Sequence, residues 1–382
     1  MLPMYRKMGI LSFILITLVD LQGAYAATSA SVGVIEELFG SVQVTRRGEV
    51  LGTIDMGEPI ENYDLIKTGS DGSVVISLTQ GTGMTGTLVV KPNSAFTVKS
   101  DVVQGKPTTE GDVLVGSVGV KVKKISGDPA LRVRTGNTVM GVRGTEFEVV
   151  VSVNDSLLVA CTEGRVACSA DDGTEVDAVP GEAVERKTGE ALRRIPVAVS
   201  SVKDFRDRWI ADEITAFRAS PVAALNQYAQ AYNRMVAQFR QASAALEGEP
   251  VFTQWKREYK AGTTPSSRDV NVMKQKSVMV KKLMGVRQVL FLFERVYYRL
   301  DEIRSYVPAS ALNGTLSNGQ RVDAFLRQVQ GEQKDLARMA AQYRFALRLY
   351  ADRNDGHEPV SVGEGDSGSG DSFFDSNDNF FN

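Results

Sequence analysis

Few residues in this chain have the types and spacing to do chemistry. The segment Gly141-Val142-Arg143-Gly144-Thr145-Glu146-Phe147-Glu148 places an arginine between two glycines inside a strand-like run. A guanidinium there is a planar five-donor fork, able to pin neighbouring carboxylates and carbonyls or to face an anionic partner. Cys161 and Cys168 flank Thr162-Glu163-Gly164-Arg165 and offer either a disulfide or two small buried apolar side chains. A two-residue turn at Glu163-Gly164 would set Cys161 opposite Val166 and Cys168 opposite Val159, a diagonal register that does not favour the bond. Lys274, Lys281, Lys282, Arg295 and Arg299, with Lys276, Arg287 and Arg304, form a basic strip. Such a strip suits anionic lipid or an acidic wall polymer, or is a face that solvent, the chain's acidic tail or its β region neutralises.

Other chemistry is thinly supported. The single histidine, His357, excludes histidine general bases and histidine-based zinc sites from the body of the chain. No cofactor and no metal are expected. A carboxylate-based glycan hydrolase would need two facing carboxylates in a cleft, which spacing alone does not reveal. Gly81-Thr82-Gly83-Met84-Thr85-Gly86 looks like a dinucleotide fingerprint, but strand rather than helix follows it. The expectation is therefore a protein that is not an enzyme.

The elements that must hold these residues fall into regions. Residues 1–26 read as a secretory signal: Arg6 and Lys7, an apolar run from Gly9 to Val19, then Ala24-Tyr25-Ala26 before a cut after Ala26. This predicts a periplasmic or secreted protein and argues against nucleic acid as a partner. Residues 27–199 alternate short β-branched runs with glycine and Asx turns, the mark of an all-β unit built as a sandwich, roll or solenoid-like sheet. Near Val199 the apolar period changes to that of a helix. Residues 200–352 then carry three seams stepping by three and four, from Leu225 to Leu246, Met279 to Leu300 and Val322 to Tyr350. These predict three long helices packed as an antiparallel, coiled-coil-like bundle. Ser220-Pro221 restarts a helix, with Ser as cap and Pro in the first turn. Residues 353–382 are acidic and rich in Gly and Ser, with Phe373-Phe374 and Phe380-Phe381, and cannot bury enough surface to fold alone. Of 382 residues with net charge −2, the β region carries −6, the helical region +9 and the acidic tail −6.

The β region resembles the FecR family of bacterial envelope proteins. The resemblance rests on the glycine-bracketed signature and on an ordered series around it. Gly40-Ser41-Val42 matches the opening strand. Gly57-Glu58 and Asp64-Leu65-Ile66-Lys67-Thr68-Gly69 match the next segment, and Pro92 and Ser94 the one after. Glu163-Gly164-Arg165-Val166 and Pro180-Gly181-Glu182 match the closing motifs. The resemblance covers about residues 33–187. It implies an extracytoplasmic β-rich sensory or interaction domain. In the best-known members that domain follows a cytoplasmic anti-sigma segment and one membrane helix, and relays a signal from an outer-membrane transporter. Only about eight residues precede the apolar run here, so the anti-sigma segment is expected to be absent. The resulting expectation is a binding or scaffolding protein of the envelope. Its β domain would contact a protein or cell-wall glycan through Gly141, Val142, Arg143, Gly144, Thr145 and Phe147. Its helices would set geometry, self-associate or touch the membrane surface. An envelope-sensing signalling component, acting through a separate membrane regulator, is the alternative.

Overall fold

A computed structural model describes residues 31–103, 106–124, 130–142 and 144–359. The expected signal at 1–26, Arg143 and the tail from Val360 onward, with both Phe-Phe pairs, lie outside the described residues.

The first part of the chain is a large region of sheet. One sheet runs in the order β4 (Pro59–Glu61), β1 (Ser31–Phe39), β6 (Ser73–Leu78), β7 (Met84–Val90), the second half of β9 (Lys106–Lys124), β12 (Glu146–Val151), β13 (Leu157–Glu163), β16 (Gly181–Arg186) and β17 (Arg193–Val197). The other runs β3 (Glu49–Val50), β2 (Val42–Arg46), β5 (Asp64–Thr68), β8 (Ala95–Val103), the first half of β9, β10 (Ala130–Arg134), β11 (Thr138–Val142), β14 (Val166–Ala170) and β15 (Glu175–Ala178). Among the described pairings only β9 with β10 is parallel. Inward residues of both sheets, such as Ile35, Ile76, Phe96, Val133 and Val149, share one apolar core.

The two sheets are joined covalently by β9. It pairs with β8 up to Val115 and with β7 and β12 from Gly116 onward. Gly116 has φ +85°, and a Cβ there would meet Ser94 Oγ and lie 2.5 Å from the Asn93 carbonyl oxygen. Glycine is required because an L side chain would be both left-handed and overlapping. The short run Val113-Leu114-Val115 is thus the middle of a 19-residue strand bent at its eleventh position.

Helices follow β17. They are α1 (Val202–Ala219), α2 (Pro221–Glu247), α3 (Pro250–Lys260), α4 (Val270–Ile303) and α5 (Val322–Asp352). Ser220 makes no side-chain cap, contrary to expectation. Its φ −141° and ψ 55° leave the start of α2 to Pro221, whose fixed φ suits the first helical turn. Asp269 does cap α4, accepting from the Asn271 amide at 2.7 Å. The predicted seams face inward: Tyr232, Phe239, Leu283, Phe293, Leu326 and Leu347 are all buried in one core. Tyr232 meets Phe325 and Glu247 meets Arg338, so α5 runs alongside α2 in the same direction. Tyr297 meets Gln333 and Glu294 meets Arg344, so α4 runs opposite to α5. Among the described residues no helix is long and apolar enough to cross a membrane.

The helices do not stand apart from the sheets. Leu65, Ala95, Leu114 and Val115, on the outer face of the second sheet, belong to the helical core. On the other side, Trp209 of α1 packs on Val150, Leu158, Ala160 and Ala183 of the first sheet. Strand alternation predicts this split, with Phe147 and Val149 facing the inter-sheet core and Val150 facing α1.

Candidate contact site at the signature corner and the sheet–helix interface

The signature is a corner between sheets, not a bend within one strand. Thr138–Val142 lies in the second sheet and Glu146–Val151 in the first, so the chain changes sheets between Val142 and Glu146. Gly141 is an exposed strand residue without positive φ, and among the described residues of the corner Gly144 is left-handed, at φ +60°. Val142 and Phe147 anchor either side of the corner in the inter-sheet core. Thr145 is 2% exposed. Its carbonyl accepts from the Val122 amide at 3.0 Å, and its hydroxyl makes no hydrogen bond among the described residues.

A second corner packs on the first. The expected hairpin at Glu163-Gly164 is absent, because β13 pairs with β12 and β16 whereas β14 pairs with β11 and β15. The chain changes sheets there too. A Cβ on Gly164 would lie 2.7 Å from the Gly144 carbonyl oxygen and 2.8 Å from Thr145 Cγ2, so only glycine lets the two corners touch. Two motifs of the resemblance, distant in sequence, are therefore one surface. Around it Lys121 pairs with Glu146 at 2.6 Å, and Arg165 stays largely exposed near Asp177 at 3.4 Å. Cys161 and Cys168 lie on different sheets as free, buried thiols in the inter-sheet core. Burial pushes the Cys168 thiol up to about 12.

Polar residues of the other motifs are committed to the fold. Asp64, fully buried, accepts from Arg46 Nη2 at 2.8 Å and from the Glu61 amide at 2.9 Å. Thr68 Oγ1 donates to the Lys91 carbonyl at 2.6 Å and accepts from the Ser94 amide at 2.9 Å. Ser94 Oγ in turn accepts from the Ser117 amide at 2.9 Å, next to the Gly116 bend. Glu148, at the end of the signature, accepts from Ser117 Oγ at 2.7 Å and Lys91 Nζ at 2.6 Å, and binds Arg206 of α1 at 2.8 Å. Each closes a buried donor or acceptor that would otherwise be costly. The match to the family's motifs marked Asp64, Thr68 and Ser94, but nothing local showed what they hold.

The basic strip is divided. Lys274 and Lys281 are exposed at the start of α4, and Lys282 is 3.9 Å from Glu249. Arg295 and Arg299 turn away from solvent toward the sheets, which corrects the reading of one continuous anionic-partner face. Arg299, 1% exposed, binds Asp155 at 3.1 Å and Glu302 of its own helix. Asp155 also accepts from Tyr228 Oη of α2 at 2.9 Å. Arg287 reaches Glu358, beyond α5, at 3.8 Å. Lys67 with Asp301 and Arg348 with Glu61 add further cross-links between sheet and helix. The −6 and +9 of the two regions are the sequence signal of this interface, because burial of either surface demands opposite charge from the other. Arg134 joins the same interface, paired with Asp112 at 3.1 Å.

Hollows occur along the interface, and two of them are lined by Arg295. One, of about 190 Å³, lies between the sheet loops and helices α2 and α4, with Leu114, Leu157, Met235 and Val296 in its wall. Three of its lining charges are paired, Arg186 with Asp171 at 3.1 Å, Lys187 with Glu213 and Asp155 with Arg299, and Arg295 lines it as well. The other, of about 120 Å³, is walled by charged side chains of β8, β9, β10, α4 and α5.

Together these features define a two-sheet module, its motif residues spent on corners and pins, clamped to its own helices. Residues 64–167 match the family model of FecR protein, and this stretch is a FecR domain. Among solved structures the chain is similar to two crystal structures of a candidate anti-sigma factor from Parabacteroides distasonis ATCC 8503. Identity is 14% in both, with TM-scores of 0.31 and 0.30. The likeness covers 37% of this chain in each case, and the chain spans 63% and 64% of the length of those two structures. No curated protein matches the chain.

Proposed function

We propose that this chain is a non-enzymatic signalling component of the bacterial envelope, acting through a separate membrane regulator. The observation that carries the reading is the FecR domain at residues 64–167. The paired corners support it. Gly144, Glu163, Gly164 and Arg165 are exposed, while the motif polar groups Thr68 and Ser94 are held by the fold. A rigid, exposed corner suits recognition of a protein surface. The helices would serve as a buttress, since Arg206 of α1 grips Glu148 directly behind the corner. The periplasmic or secreted location belongs to the same proposal and rests on residues 1–26.

A second reading is a scaffold on an envelope protein or cell-wall glycan, with self-association through helices. It is favoured by the start of α4, where exposed Val270, Met273 and Val278 stand beside exposed Lys274 and Lys281. Photo-crosslinkers placed at Arg165 and at Lys281 in intact cells separate the two. The signalling reading expects an integral membrane regulator captured from residue 165. Capture of wall glycan there would transfer the assignment to the scaffold, and capture only from residue 281 would reverse the roles of sheet and helix.

A further inference from the structure

The interface hollow of about 120 Å³ has one cation more than its carboxylates balance. Arg134 binds both oxygens of Asp112, at 3.1 and 3.2 Å. Arg344 Nη2 donates to Glu294 at 2.5 Å, and Lys99 reaches Glu358 at 3.0 Å. Arg295 is the exception. Its Nη2 is 3.9 Å from Asp112, whose oxygens Arg134 already occupies, and its Nη1 reaches only the Val113 carbonyl at 3.5 Å. Nε and Nη2 of Arg295 and Nη1 of Arg344 are buried without a hydrogen-bond partner among the described residues. Arg344 is 8% exposed, and both arginines line the same hollow.

A buried guanidinium with open donors carries a desolvation cost that an anion offsets better than water, because fork and oxyanion pair by charge and by geometry. We propose that this hollow is a binding site for a small oxyanion, a carboxylate or phosphate group, gripped by Arg295 and Arg344. About 120 Å³ admits such a group but no bulky body. Glu358 rims the hollow and opposes an incoming anion, so release of this carboxylate would strengthen binding. The site spans both sheet and helix. An occupant would therefore tie the FecR domain to its buttress, a consequence independent of which envelope partner the corner meets.

The test is thermal unfolding of the full chain in sodium phosphate, sodium acetate and sodium chloride at equal ionic strength and pH. A saturable rise in Tm with phosphate or acetate beyond chloride is expected, and the stronger of the two names the class of oxyanion. Arg295→Met should abolish the rise and should change Tm in chloride little, since the buried charge it removes has only long contacts to Asp112 and Val113 and the face of Phe291. Glu358→Gln should lower the half-saturating concentration by about tenfold. Equal Tm in all three salts would mean that water fills the hollow and would overturn the proposal. So would an Arg295→Met protein that keeps the response. If Arg295→Met does not fold, an unchanged half-saturation in Glu358→Gln is the refuting result.

Discussion

Arg299→Met tests whether sheet and helices are one cooperative body. The guanidinium is 1% exposed and sits between Asp155, on the β12–β13 loop, and Glu302 on α4. Nε and Nη2 lie 3.2 and 3.1 Å from Asp155 Oδ1. Methionine keeps much of the volume and removes the charge, leaving two carboxylates facing each other. Breaking a buried pair by deleting one partner costs about 3–5 kcal/mol. Burial already pushes the Glu302 carboxyl up from its ordinary value, and without Arg299 it takes a proton more readily, which relieves part of the repulsion. The loss should therefore fall near the lower bound, about 3 kcal/mol. The assay is urea unfolding followed by fluorescence in two backgrounds, Trp209→Phe and Trp255→Phe. The remaining tryptophan then reports the helices or the α1–sheet contact respectively. Both probes should show the same drop in midpoint. Adding Asp155→Asn to Arg299→Met should recover at least about 1 kcal/mol. A loss under about 1 kcal/mol, or a drop seen by Trp255 alone, would refute the claim that this cluster locks the two regions.

Gly116→Ala should destabilise by more than about 2 kcal/mol, since φ +85° and overlap with Asn93 and Ser94 act together; an unfolding midpoint within error of wild type would contradict the bent-strand account. Burial pushes the Glu185 and Glu213 carboxyls up. Hydrogen bonds from Trp209 and Arg193 to Glu185, and from Lys187, Ser152 and Asn154 to Glu213, outweigh it and hold both below their ordinary values. Their stabilising contribution is complete above the ordinary carboxylate range and is lost as pH falls through the depressed folded values. Trp209 emission in the Trp255→Phe background should shift as acid breaks the Glu185 contact at 2.7 Å, and Glu185→Gln should flatten that pH dependence. Thiol titration at pH 8 without reductant should find Cys161 and Cys168 unreactive in the native chain, because burial raises both thiols. Both should become reactive in denaturant, and a denatured count of zero would establish a disulfide instead.

The sequence by itself determined what depends on neighbours along the chain. Steps of three and four from Leu225 to Leu246 put one face of α2 in a core, and two-residue alternation in Phe147-Glu148-Val149-Val150 fixed which side chains share a face. The helical period begins where β17 ends at Val197 and α1 starts at Val202. Tertiary structure decided what depends on distant partners. Gly164 signals a left-handed turn, but whether the turn closes a hairpin or changes sheets depends on Gly144 packed against it. Val113-Leu114-Val115 gives no sign of a 19-residue strand, because the bend at Gly116 is set by Asn93 and Ser94. Arg299 continues the pattern of exposed Lys274 and Lys281, yet Asp155, more than a hundred residues away, draws it inward. Local periodicity records backbone geometry and one buried face. A charge's burial is settled by an opposite charge that the chain supplies only after it has folded.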